Sequence, residues 1–241
     1  MLRRIGKGLR HPRQGLAYVL VGKVKFELLY GPKPWEIHRF NMITRETCFI
    51  WKPVGTLEEH MTGVTDIHEH LATLHMFTVE HDFRGVLELG TSMGESTIAL
   101  LLAVRRIGGH VTSIDMNPCL EARQAVERLG LSVNWTFKQG DDLQVEWREP
   151  IDLLLIDTSH KYEHTLKELE KFEPHVREGG MILMHDIVSF PEVNNAMTQY
   201  VKGRNDLRPY RYLNNNGLGI IFKGGSRIVP SEQPRVSDSR S

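Results

Sequence analysis

Cysteine is scarce in this chain of 241 residues: Cys48 and Cys119 are the only two. Two thiols cannot make a disulfide framework, and they fit a reducing compartment, so the expected location is cytoplasmic. Charge of one sign is lacking as well. Thirty Lys and Arg balance thirty Asp and Glu, which removes the electrostatic reason to expect a nucleic-acid partner. No apolar run reaches the length of a bilayer span. The basic start (Arg3, Arg4, Lys7, Arg10, Arg13) leads into Leu16-Ala17-Tyr18-Val19-Leu20-Val21. A signal peptide would have a longer apolar stretch and a small-residue cleavage site. Neither cysteine lies in a motif suited to nucleophilic catalysis. His60, His68, His70, His75 and His81 crowd one region, but their spacing does not give zinc-ligand geometry.

What is present is a composition of 40% hydrophobic and 25% charged residues, as in soluble globular domains. Residues 1–64 read as an appendage. Gly31-Pro32-Lys33-Pro34-Trp35 and Trp51-Lys52-Pro53 punctuate it, and no strand–helix rhythm appears. It could cover the core or the active site, or join copies of the chain into a homo-oligomer. Residues 65–223 read as the main domain. The tail, 224–241, is rich in Ser, Pro, Arg and Gly and reads as disordered.

In the main domain Asp66 is expected to cap a helix carrying Ile67, Leu71, Leu74 and Phe77 at helical spacing. Strands are expected at 85–89, 111–114, 133–138, 151–156 and 180–184. Helices are expected at 95–106, 118–129, 161–172 and 191–201. Two last strands, 210–213 and 217–222, flank Asn214-Asn215-Asn216-Gly217, a hairpin signal. Alternating strands and helices predict an α/β doubly wound, Rossmann-like fold with a mostly parallel sheet. The apolar run Ile151 to Ile156 predicts a central strand covered on both faces.

Ligands of such sheets bind beyond the carboxyl ends of the strands. The first strand ends in Glu88-x-Gly90-x-x-x-Gly94, where Gly90 allows a tight turn and Gly94 lets the helix begin close by. Asp115 ends the second strand, where a carboxylate can accept ribose hydroxyls. Asp141, in Gly140-Asp141-Asp142, is placed to meet an adenine amino group. Ser92 stands where a dinucleotide fingerprint has its second glycine. That disfavours a pyrophosphate and suits S-adenosylmethionine (SAM), which has none.

With Asp157-Thr158-Ser159-His160-Lys161-Tyr162 and Gly179-Gly180-Met181-Ile182-Leu183-Met184-His185-Asp186, the motifs resemble class I SAM-dependent methyltransferases. The nearest branch is that of small-molecule and sugar O-methyltransferases, which carry a D-G-D-H-x-Y motif and a G-G-x-x-x-x-H-D strand. The resemblance covers about residues 66–223. It implies a seven-stranded sheet with an antiparallel last strand. It also implies that Glu88, Gly90, Thr91, Ser92 and Gly94 hold the methionine part of SAM, with Asp115 at the ribose and Asp141 near the adenine.

Asp157 and Asp186 end strands expected to be neighbours, about 4.8 Å apart. With His185 they could bind Mg²⁺ or another divalent cation, which would lower the pKa of an acceptor hydroxyl. His160 is the candidate general base, with Asp157 beside it. His164 is expected on a solvated helix face. Ser159 replaces the second acid of the D-G-D-H motif and His185 replaces an acid, so the need for a metal stays open. The expected function is methyl transfer from SAM to a hydroxyl of a small polar acceptor, a sugar or secondary metabolite. An NAD-dependent oxidoreductase, or a methyltransferase-like binding protein without transfer chemistry, stays open as an alternative.

Overall fold

The computed structural model describes residues 66–224. The calls on residues 1–64, on an interface there between copies, and on the tail lie outside the described residues. The chain runs through α1 (Leu71–Glu80), β1 (Gly85–Leu89), α2 (Glu95–Ile107), β2 (His110–Asp115), α3 (Leu120–Arg128), β3 (Trp135–Gln139), β4 (Ile151–Ile156), α4 (Tyr162–Phe172), β5 (Val176–His185), α5 (Pro191–Val201), β6 (Leu207–Tyr212) and β7 (Leu218–Lys223).

The strands form one seven-stranded sheet in the order β3-β2-β1-β4-β5-β7-β6. The first five are parallel, and β7 runs antiparallel to both β5 and β6. The expected α/β fold with an antiparallel last strand is therefore present. Strand order reverses between β1 and β4, and at that point a cleft opens between the outgoing loops.

The period-two alternation of strand side chains splits the core. Leu153 and Leu155 of β4 face α1 and α2 with Leu74, Ile98 and Leu101. Leu154 and Ile156 face the opposite layer with Leu169 of α4 and Val193 and Met197 of α5. Apolar residues on both faces explain the near-continuous hydrophobic run of β4. Each fully buried Leu or Ile contributes about 1.5–3 kcal/mol of transfer free energy.

Several local expectations change: the helix after Asp115 starts at Leu120 instead of 118, β3 at Trp135 instead of 133, and β6 at Leu207 instead of 210. Asp66 is not a helix cap: residues 66–70 form a turn, closed by His70 N–H donating to Ile67 O, and α1 starts at Leu71. The turn packs instead on the β6–β7 loop, where Asn215 Oδ1 accepts from Glu69 N–H and the His70 ring is bonded to Asn214 O. Strand β5 begins at Val176, ahead of the expected 180, and its pairing with β4 is irregular between Ile151 and Leu153. Gly180 fits there because a Cβ would press on the Asp152 carbonyl of β4.

Candidate active site

A cavity of about 570 Å³ opens at the carboxyl ends of β1, β2 and β4, within the range of small-molecule sites. Gly90, Thr91, Ser92, Gly94, Asp115, Asp157, His160 and Asp186 line it, so most of the expected site residues meet there. Asp66, Met116, Asn117, Asp142 and His164 also line it, and the sequence reading did not place them at the site.

The glycine turn is built by backbone geometry. Gly90 has φ +88°, and a Cβ on it would overlap the Asp157 carbonyl oxygen. The glycine thus lets the β4 loop close against the turn. Gly94 has φ +89°, and its Cβ would meet the Ala122 Cβ of α3 at 2.7 Å. It relieves a helix–helix approach rather than the helix–strand approach expected. Asp115 ties this turn to β2. Its Oδ2 accepts N–H bonds from Thr91 (2.8 Å) and Ser92 (3.1 Å), and its Oδ1 accepts from Asn117 N–H (2.8 Å). Burial pushes its pKa up, but these donors outweigh that and hold it below the usual range.

Glu88 is a correction. It is fully buried and does not line the cavity. Its carboxyl accepts from Ser96, Thr97 and Ser113 hydroxyls at 2.6–2.7 Å, knotting β1 to α2 and β2. Burial raises its pKa to about 7, against the pull of the three donors. Asp141 is a second correction. Its Oδ1 caps its own loop by accepting from Leu143 N–H, while the next residue, Asp142, faces the cavity.

At the other end of the cleft, His160 is held between two strands' ends. Its Nε2 lies 3.1 Å from Asp157 Oδ1 and 3.2 Å from Asp186 Oδ2. The residue has φ +56°, and its ring stacks on Phe190 at 4.4 Å. Burial lowers the imidazole pKa, but the bond to Asp157 and the charges of Asp157 and Asp186 win, and the net shift is upward. Burial raises the Asp186 pKa, His185 opposes, Asp157 adds, and the net shift is upward. Asp186 Oδ1 is buried and makes no hydrogen bond.

The metal set also changes. Asp157, His160 and Asp186 offer ligand atoms all within 4.8 Å of one another, whereas His185 does not join them. His185 is buried, with Nε2 on the Asp66 carbonyl at 3.1 Å and Nδ1 3.4 Å from Asp157 Oδ1. Burial opposes its charge, but Asp157 raises its pKa to about 9. It is a buried cation for the carboxylates rather than an open ligand. The histidines of the first helical region form no such set among the described residues. His70 and His75 are instead buried in the fold. His164 is half-buried against Asp142 and Glu168 rather than solvated.

The seven-stranded sheet with an antiparallel last strand and flanking helices is a Rossmann-like methyltransferase fold. Residues 87–187 match a family model described as a methyltransferase domain. No curated protein matches the chain. Among solved structures, the chain is similar to the O-methyltransferase of Bacillus cereus in complex with S-adenosylhomocysteine. Identity is 20% and the TM-score 0.59, over 78% of this chain and 100% of that one. It is similar to an O-methyltransferase of Streptomyces achromogenes involved in tomaymycin synthesis, solved with SAM, at 17% identity and TM-score 0.57 over 78% and 98%. The SAH-bound methyltransferase of Podospora anserina matches at 12% identity and TM-score 0.57 over 90% and 98%. Among the described residues no helix is long and apolar enough to cross a membrane.

Proposed function

We propose that this chain is a SAM-dependent methyltransferase acting on a hydroxyl oxygen of a small polar molecule, such as a sugar or secondary metabolite. The observation that carries the reading is one cavity with the glycine turn at one end and the Asp157–His160–Asp186 cluster at the other. The residues suit SAM. Thr91 Oγ1 is buried at the cavity without a hydrogen-bond partner, and Asp115 can exchange its long 3.3 Å contact with the Asn117 side chain for a ribose hydroxyl. Asp142, rather than Asp141, lines the cavity after β3.

Bound SAM supplies an electrophilic methyl on a sulfonium sulfur. The methyl would pass to the acceptor oxygen, leaving S-adenosylhomocysteine, and the acidic cluster would take up the hydroxyl proton. Held between Asp157 and Asp186 by contacts of 3.1 and 3.2 Å, the His160 ring orients the two carboxylates. Asp186, joined to His160 through Oδ2 at 3.2 Å and lying beside the buried His185 ring through Oδ1 at 3.7 Å, shares that proton with His160. Asp157, His160 and Asp186 also suit a divalent cation, which would supply Lewis-acid activation of the hydroxyl. Positioning the oxygen in line with the methyl group would supply much of the rate enhancement.

Titration calorimetry with SAM, then a screen of hydroxylated acceptors with and without EDTA, tests the reading. SAM binding with methyl transfer to oxygen is the expected result. No SAM binding at high micromolar concentration overturns it, and NADH fluorescence on titration would then favour the oxidoreductase.

A further inference from the structure

A second histidine–carboxylate cluster stands apart from the acceptor end, between the loop after β3 and the first turns of α4. His164 Nε2 lies 3.1 Å from Asp142 Oδ1 and 3.5 Å from Glu168 Oε1. His164 and Glu168 are one helical turn apart, so they share a face of α4. The three residues offer ligand atoms all within 4.8 Å of one another.

Two carboxylates are buried here beside one imidazole. The Glu168 side chain is fully buried and that of Asp142 is 7% exposed. Thr158 donates its hydroxyl to Glu168 Oε1 at 2.6 Å and fixes that carboxylate. Glu168 Oε2 is buried and has no hydrogen-bond partner. Paired buried carboxylates need positive charge or a shared proton to offset desolvation. One ring nitrogen cannot satisfy both and also fill the second Glu168 oxygen. The loop cannot simply swing away, because Lys171 Nζ clamps the carbonyls of Asp142 and Val145 at 2.6 and 2.5 Å.

We propose that Asp142, His164 and Glu168 form a binding site for a first-row divalent cation, Zn²⁺ or Mn²⁺, distinct from the Asp157–His160–Asp186 cluster. One imidazole and two carboxylates suit these ions better than Mg²⁺ or Ca²⁺, which prefer all-oxygen sets. The ion ties the β3 loop to α4. It enters from the main cavity, which Asp142 and His164 line, or from the shallower cavity where His164 meets Lys161 and Tyr162.

The test uses the full chain carrying Asp157→Asn and Asp186→Asn, which disables the other cluster whatever its role in methyl transfer. Co²⁺ and Zn²⁺ are titrated into it by visible absorption and calorimetry. One equivalent is expected, with ligand-field bands of a nitrogen–oxygen site. Glu168→Gln and His164→Ala, added singly, are each expected to weaken binding by at least about 100-fold. In the wild-type chain Zn²⁺ is expected to shift the His164 ring ¹⁵N resonances, which needs no variant to fold. No bound equivalent, binding unchanged by both substitutions, or unmoved His164 resonances overturns the proposal.

Discussion

The carbonyl oxygen of Asp157 occupies the space that a side chain on Gly90 would need. That contact joins the glycine turn to the loop bearing Asp157. Gly90→Ala combines backbone overlap with a φ of +88°, so it is expected to cost about 2–4 kcal/mol. Urea denaturation measures this, and SAM binding should fall in parallel.

Gly94 and Ala122 make a reciprocal pair. Gly94→Ala is expected to destabilise the chain through the 2.7 Å contact with the Ala122 Cβ. Ala122→Gly in that background should restore part of the loss, and the φ of +89° keeps the remainder. A double-mutant cycle that came out additive would show the two sites to be independent.

Asp115 offers a test of the cofactor end. Asp115→Ala removes a charged acceptor from two turn N–H groups and from the expected ribose contact. Hydrogen bonds to charged groups contribute about 1.5–3 kcal/mol, so SAM affinity should fall roughly 10–100-fold. Calorimetry reads this directly, and circular dichroism checks that the fold is kept.

The acceptor end should separate from the cofactor end in kinetics. Asp186→Asn is expected to lower transfer by about 100-fold or more while SAM affinity changes little. An equal loss of SAM affinity would place Asp186 in cofactor binding instead.

Glu88 predicts a pH dependence. Its pKa is raised from 4.5 to about 7 in the folded chain. A raised carboxyl binds its proton more tightly when folded. Its stabilising contribution is therefore complete below about pH 4.5 and falls as pH rises to about 7. Across that window it amounts to some 2–3 kcal/mol. The stability difference between Glu88→Gln and wild type should shift in favour of the variant by that order between pH 4.5 and 8. A flat difference would mean Glu88 titrates normally.

Much of the fold was legible because it rests on local pattern. The apolar run at 151–156 and the proline at residue 191 placed β4 and α5 to the residue. The hairpin signal at Asn214 to Gly217 marked the turn between β6 and β7, although β6 starts at Leu207, ahead of the expected 210. Asp66 misled because a capping residue was read without knowing what the turn packs on. At the site, the chain order of Gly90, Asp115, Asp157 and Asp186 pointed to one cleft, since parallel strands send their carboxyl ends to the same edge. Which neighbour faces that cleft was not legible. Asp142 and Asp141 differ by one position, and only the loop's path after β3 chooses between them.

The sequence by itself determined the strand–helix alternation, the positive-φ glycine turn and the edge of the sheet where chemistry-bearing residues collect, because each depends on local backbone preference and side-chain period. Tertiary structure alone decided that Glu88 is a buried knot, that His160 and not His185 completes the Asp157–Asp186 cluster, and that His164 meets Glu168 and Asp142. Those outcomes depend on side-chain direction and burial across elements distant in the chain, where desolvation and neighbouring charge set what each group can do.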